Sequence, residues 1–367
     1  MRHLSIALVA AASAVAATQI ALAADMPVKA PPTAAVSSTN GFYFWLDGSY
    51  QSIHLPTYNL GFKTHPTGFG PTPSSPSDVY DPRATGWGIR GAIGYILPHG
   101  TWPSAFGTDA RIELGGSYVK AKDRQNTASA QREFYSLAGV GGVSVASFDC
   151  IALCRTSSTL DSDYAAWLVN LKLASDFKAG AVTITPSISV LGGNTHNDQT
   201  LAQLLSNTSG FASNYTARSS LHWRDWGAKV GLDANARVTS WMTVGVGGSV
   251  GLASRDASLT ANDFGAIVGQ PFFDRAGAAV ASARATPVIA NVEGNVTFTP
   301  YRSVAIKAFA GLNYDSRVPG ITAPNYLPAF ASGGFGPGAV VASPAGIDFS
   351  HETSWYAGGG VIVKFGG

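Results

Sequence analysis

From residue 41 onward, apolar and polar residues alternate in windows of 9–15 residues, the period of a strand with two unlike faces. The uniform face is the apolar one; the other carries Gly, Ser, Thr and charge. This is simple to see at 225–237, where Trp226, Ala228, Val230 and Leu232 oppose Asp225, Lys229, Asp233, Asn235 and Arg237. A strand that is apolar outward and polar inward is the signature of a transmembrane β-barrel, and a closed barrel satisfies every backbone group in lipid. The pattern predicts an all-β, antiparallel up-and-down barrel of about ten strands, with twelve as the alternative. The predicted strands lie near 41–55, 87–97, 109–123, 164–177, 182–190, 221–238, 242–252, 288–298, 304–315 and 354–365.

The connectors alternate in length. Short ones centre on 99–100, 178–180, 240–241 and 301–303; long ones span 56–85, 125–161, 195–218, 255–285 and 317–350. Outer-membrane barrels have short periplasmic turns and long extracellular loops, and an even strand count puts both ends of the barrel on the periplasmic side.

Residues 4–22 form an apolar, Ala-rich run after Arg2 and His3, and Ala21-Leu22-Ala23 supplies small residues for a peptidase. This is the plan of a secretory signal peptide over 1–24, cleaved near Ala23 or Ala24. A Pro-rich periplasmic linker over 25–40 follows, and the barrel occupies 41–367. The expected location is the cell outer membrane.

Composition narrows the function. Charged residues make up 13% of the 367, against roughly 25% in soluble domains. The balance of 24 basic and 22 acidic residues gives no electrostatic reason for a nucleic-acid partner. The expected partners are outer-membrane lipid and small hydrophilic solutes or ions, and oligomerisation is left open. No cofactor, metal site or catalytic group is expected.

The stretch 24–32, Ala-Asp-Met-Pro-Val-Lys-Ala-Pro-Pro, followed by Gly41-Phe42-Tyr43, resembles the mature start of small outer-membrane barrels of alphaproteobacteria, the opacity-protein-like porin superfamily. Residues 225–233, Asp-Trp-Gly-Ala-Lys-Val-Gly-Leu-Asp, more weakly resemble a strand of the Legionella-type pore-forming major outer-membrane proteins. The resemblance implies a porin-like barrel. Such barrels end on an aromatic residue read by the barrel assembly machinery; here Phe365 is followed by two glycines.

Alternation predicts a lumen lined by Asp47, Asp109, Glu113, Asp225, Asp233, Glu293 and Asp315, with Arg90, Arg111, Lys172, Lys229, Arg237 and Lys307. The two signs nearly cancel. They form either the lining of a weakly selective pore or a salt-bridged plug in a narrow barrel. Small inward residues on the fifth and seventh strands favour unfilled volume along one wall. The reading is a narrow, weakly selective diffusion channel. Its rivals are a non-conducting structural or adhesive barrel that presents its loops, and an outer-membrane hydrolase. The hydrolase reading rests on Asp161, Asp163, His196 and Asp198 near outer strand ends, groups of the kind omptin-like proteases use. Ser350 and His351 are adjacent, so they point to opposite faces and form no dyad. Gly245–Gly251 has period-two valines and reads as a Gly-rich strand. Cys150 and Cys154 are expected to form a local disulfide. Trp and Tyr near strand ends predict two aromatic girdles.

Overall fold

The computed structural model describes residues 41–64, 75–98, 109–131, 134–138, 140, 144–148, 154–207, 210, 212–268, 270–301, 303–322 and 344–365. The expected signal peptide, the linker and the Cys150 half of the expected disulfide lie outside them, as does the side chain of Cys154.

Ten antiparallel strands close a ring. In order around the barrel they are β10 (Ala212–Arg237), β9 (Val182–Asn207), β8 (Cys154–Ala179), β5 (Asp109–Gln131), β4 (Arg83–Ile96), β1 (Gly41–His54), β15 (Gly346–Phe365), β14 (Val304–Thr322), β13 (Val288–Tyr301) and β11 (Met242–Ile267). Pairing of β10 with β11 shuts it. The ten strands match the ten read from alternation, and the fold is the antiparallel transmembrane-type barrel that the pattern predicts.

The outer face explains why these residues form this wall. Leu46, Ile93, Leu114, Leu171, Val190, Val230, Val250 and Leu312 are exposed large apolar side chains, which in water would be a liability and in lipid is the requirement. Aromatic residues edge this belt. Trp87 packs against Tyr118 at 5.6 Å between ring centroids and Tyr50 against Trp355 at 5.5 Å on one side. On the other, Phe42 meets Tyr95 at 4.8 Å and Trp241 stacks on Phe298 at 5.7 Å. Along β10 the belt runs from Trp226 to Ala236. At roughly 3.3 Å per residue and a tilt of about 40°, that is a band roughly 25 Å tall, a bilayer core.

The strands do not stop where the belt stops. β8, β9, β10 and β11 are each 26 residues long. Of the segments expected as loops, 195–207, 212–218, 255–267 and 270–285 are continuations of the wall, as are the two ends of 125–161, at 125–131 and 154–161. The β9–β10 connection shrinks to the residues between Asn207 and Ala212. Register is uninterrupted along β10–β11, from Ser213↔Ile267 to Arg237↔Thr243. The reason is a reversal of pattern without a change of parity. Odd residues of β10 face inward throughout, but 213–223 place Tyr215, Ala217, Leu221 and Trp223 inside and Thr216, Arg218, Ser220 and Arg224 outside. Above residue 224 the strand is patterned for water outside and an apolar core inside.

That core is filled by what the strands enclose. Leu160, Leu201, Leu205, Leu221 and Leu259 meet Tyr58, Tyr80, Val140, Ile321 and Ala345. Tyr58 and Tyr80 lie on β2 (Tyr58–Thr64) and β3 (Ser75–Tyr80), which pair with β6 (Phe134–Ala138) and β7 (Ser144–Phe148) as a separate four-stranded sheet. The eleventh strand of the main sheet, β12 (Gln270–Ala285), pairs with the upper half of β11, and β13 pairs with the lower half. The break between them falls at Pro287, whose carbonyl still accepts from the Ala253 N–H at 3.1 Å. The alternative of twelve strands is therefore not realised: β12 stands end to end above β13 on the same edge of β11 and adds no strand to the ring.

At the opposite rim the turns are tight. β8 and β9 join through Gly180-Ala181, with Gly180 at φ +61°, a left-handed conformation that a side chain disfavours. The start of β1 and the end of β15 both lie at this rim, paired Phe42↔Phe365.

Candidate functional site: the barrel lumen

The membrane-level lumen holds a cavity of about 730 Å³. It reaches from Asn235, Thr297 and Ile362 near the short turns to Leu55, Tyr164, Trp223 and Val318 beneath the apolar core.

Four of the predicted charges form one closed quartet. Asp47 on β1 faces Arg90 on β4 as a direct register partner, and Arg90 Nη2 lies 3.0 Å from Asp47 Oδ2 and 2.6 Å from Glu293 Oε2. Lys307 Nζ lies 2.7 Å from Glu293 Oε1 and 3.7 Å from Asp47 Oδ2. Tyr356 Oη donates to Glu293 Oε2 at 3.1 Å, and the Arg90 guanidinium sits 4.2 Å from the Phe309 ring centroid. Between β4 and β13 the ring passes through β1, β15 and β14. These strands are nearly opposite in a ring of ten, so the Arg90–Glu293 contact is made across the lumen. Glycines on the intervening strand permit it: a Cβ at Gly360 would come within 2.0 Å of Asp47 Oδ1.

A second cluster sits nearer the short turns. Arg111 Nη1 donates to both carboxylate oxygens of Asp176, at 2.9 and 3.0 Å, and Arg111 Nε to Glu113 at 3.2 Å. Tyr43 reaches over Gly94 from β1 to donate to Glu113 at 2.5 Å, and Thr185 donates to Asp176 at 2.7 Å. At the rim, Asp109 pairs with Lys178 at 2.6 Å.

The third cluster lies at the upper end of the cavity. Arg255 donates to both oxygens of Asp225, each at 2.7 Å, to Asp315 at 2.7 Å and to the Arg317 carbonyl at 2.6 Å. Asp225 and Asp315 were predicted to line the lumen. Their partner was not, because Arg255 falls in a stretch read as loop.

Lys172 lies 3.6 Å from Asp233. Among the described residues Lys229 has no carboxylate within 4 Å. Arg237 is exposed at the last position of β10 and does not line the cavity. The structure thus brings eleven of the thirteen predicted charges to the cavity wall and leaves Asp109 and Arg237 at the rim.

The cross-lumen bridge leaves one wall clear. β9, β10 and β11 contribute Ser187, Ser189, Gly231, Gly247, Gly248 and Ser249 to the cavity. The inward glycines act as shelves on which neighbouring side chains lie flat. A Cβ at Gly247 would come within 1.9 Å of Asp233 Oδ1, and one at Gly251 within 2.6 Å of Lys229 Cγ. The volume expected along this wall from its small residues is there.

The four groups of the hydrolase reading are not in the lumen. Asp163 and Asp161 stand on the outer wall, paired with Lys122 at 3.0 Å and Arg124 at 3.3 Å. His196 and Asp198 are exposed beside them on β9. Ser350 donates to Glu352 at 2.8 Å, and Glu352 lies 3.2 Å from His54, so His351 takes no part in that arrangement.

No known protein family and no curated protein matches the chain in sequence. Solved structures match in shape. The outer-membrane protease OmpT from Escherichia coli is 10% identical at a TM-score of 0.43, over 89% of this chain and 98% of that one. An outer-membrane channel from Pseudomonas putida F1 is 7% identical at a TM-score of 0.28, over 92% and 100%. A FadL homologue of Pseudomonas aeruginosa is 8% identical at a TM-score of 0.21, over 89% and 90%. At such identities these are similarities of barrel architecture alone.

Proposed function

We propose that the protein is an outer-membrane channel for small hydrophilic solutes, and that its outer mouth is closed in the conformation described. The observation that carries this reading is the cavity of about 730 Å³ at membrane level, lined by the charged clusters, which passes beside the Arg90–Glu293 bridge along the Ser/Gly wall of β9–β11. The apolar belt and paired aromatic girdles support a place in a bilayer; the water-patterned upper wall supports an outer membrane with its barrel projecting outward. Lumen charges that neutralise one another support weak ion selectivity. An exposed Phe365 side chain at the end of the last strand supports recognition by the assembly machinery.

The apolar core above the cavity gives the second reading its observation. If that core never moves, the barrel conducts nothing and serves to present its outer structure. Planar-bilayer recordings separate the two. The folded wild type is expected to show small or infrequent conductance steps, and a barrel lacking residues 134–148 sustained ones with little cation or anion preference. Silence from both, in protein shown to be folded by heat-dependent gel mobility, favours the non-conducting barrel.

A further inference from the structure

Above the girdle formed by Trp167 and Trp226, two imidazoles face each other on the outer wall. His196 on β9 and His222 on β10 are direct register partners. Their rings stack 4.3 Å apart between centroids at 27°. Directly opposed positions hold their Cβ atoms about 4.5–5.5 Å apart, from which two imidazoles can turn toward one cation. His222 Nε2 is buried and has no hydrogen-bond partner. His196 is exposed, so the pair meets the medium on the His196 side, and an ion would bind with the His222 ring turned toward it.

A carboxylate stands on the same face. Asp198 lies two residues from His196 and therefore points the same way; its Oδ1 accepts from Ser220 at 2.6 Å. Two positions from one strand and one from its neighbour make a two-histidine, one-carboxylate set on a sheet surface, a donor set suited to first-row transition metals. Among the described residues no three such groups already converge on a point. The two imidazoles are therefore the core of the set, and Asp198 joins only by leaving Ser220, with water in the remaining positions. The nearest competing charges are Arg224, two residues beyond His222, and Asp163, which faces Asp198 in register but is held by Lys122.

We propose that His196 and His222 chelate a divalent transition-metal ion on the outer wall of the barrel, tying β9 to β10 where they stand clear of the membrane. This is independent of whether the lumen conducts. An ion bound only by the folded wall raises its stability with the logarithm of free ion concentration once that exceeds the dissociation constant.

The test uses the full barrel in detergent micelles with cupric chloride in a non-coordinating buffer. The wild type is expected to bind one Cu²⁺ per barrel with an electron paramagnetic resonance spectrum showing two equivalent nitrogens. Its thermal unfolding midpoint should rise on binding, with Zn²⁺ binding more weakly than Cu²⁺. His196→Ala and His222→Ala should each lose the two-nitrogen spectrum and the rise, whereas His54→Ala and His351→Ala keep both. Both tested side chains lie on the outer surface, and heat-dependent mobility confirms that each variant is folded. A wild-type spectrum indistinguishable from that of the His196→Ala/His222→Ala double variant overturns the proposal.

Discussion

The two halves of β10 are one strand under two solvents. From Ala212 to Arg224 its inward residues are mostly apolar and its outward residues mostly polar; from Asp225 to Arg237 the assignment is reversed. Backbone, parity and register are the same in both halves. What differs is which side faces water. In the upper half, Leu221 and Leu259 are fully buried and drive folding as in a soluble protein. In the lower half, lipid already covers the apolar face. There the inside is held by the quartet of Asp47, Arg90, Glu293 and Lys307, whose members need one another to be tolerated out of bulk water.

The largest expected effect tests that dependence. Asp47 is 1% exposed, and Arg90→Ala leaves its charge without the guanidinium. We expect a loss of about 3–5 kcal/mol, the cost of an uncompensated buried charge, measured by urea unfolding in detergent micelles. A loss below about 1 kcal/mol means that water enters the quartet freely. Next in size, Leu259→Ala in the upper core should cost about 3 kcal/mol through lost packing and a residual cavity. It should leave the heat-dependent gel mobility of the membrane-level barrel intact if the halves differ as described.

A matched pair of substitutions sharpens the contrast on one face of one strand. Val230→Arg puts a charge in the lipid belt and should cost about 2–4 kcal/mol. Thr216→Arg, on the same face of β10 above the reversal, should stay within about 0.5 kcal/mol of wild type. Equal effects at both sites remove the boundary at residue 224.

The smallest effect is a pH dependence confined to the upper half. Asp263 accepts from the Val140 N–H at 2.6 Å and from Tyr215 Oη at 3.1 Å. Burial nevertheless raises its carboxyl above the ordinary range, although those bonds oppose the shift. A raised carboxyl contributes stability that is complete below its unfolded value and is lost as pH rises through the folded one. Wild type should therefore lose stability relative to Asp263→Asn as pH rises through the weakly acidic range. A flat difference in thermal midpoint across that range rules this out.

The same reversal decides what could be read from the sequence. All ten barrel strands, and the facing of Asp47, Arg90, Glu293 and Lys307, were legible because in lipid one face must be uniformly apolar. A search for an apolar outward face fails above residue 224, where Thr216, Arg218, Ser220 and Arg224 occupy it. The upper strands consequently read as loops. Arg255 was lost with them, although it continues the inward parity of Gly247, Ser249 and Gly251 on β11. Following parity across the change of solvent would have found it. The contact of Arg90 with Glu293 was not legible at all, since it depends on which strands are opposite in the closed ring.

The strands also end at unequal heights. β8 to β11 run 26 residues, whereas β1 and β4 run 14. The rim is therefore slanted, and the molecule has a front and a back. A body approaching from the side of β9 and β10 meets a continuous hydrogen-bonded palisade standing roughly 30 Å clear of the lipid. On the side of β1 and β4 the palisade is missing, and the chain that leaves their ends carries Tyr58 and Tyr80 into the enclosed core. That side is a low doorstep at the level of the headgroups, screened by a segment tied to the wall where the Leu55 N–H donates to the Pro82 carbonyl at 2.9 Å.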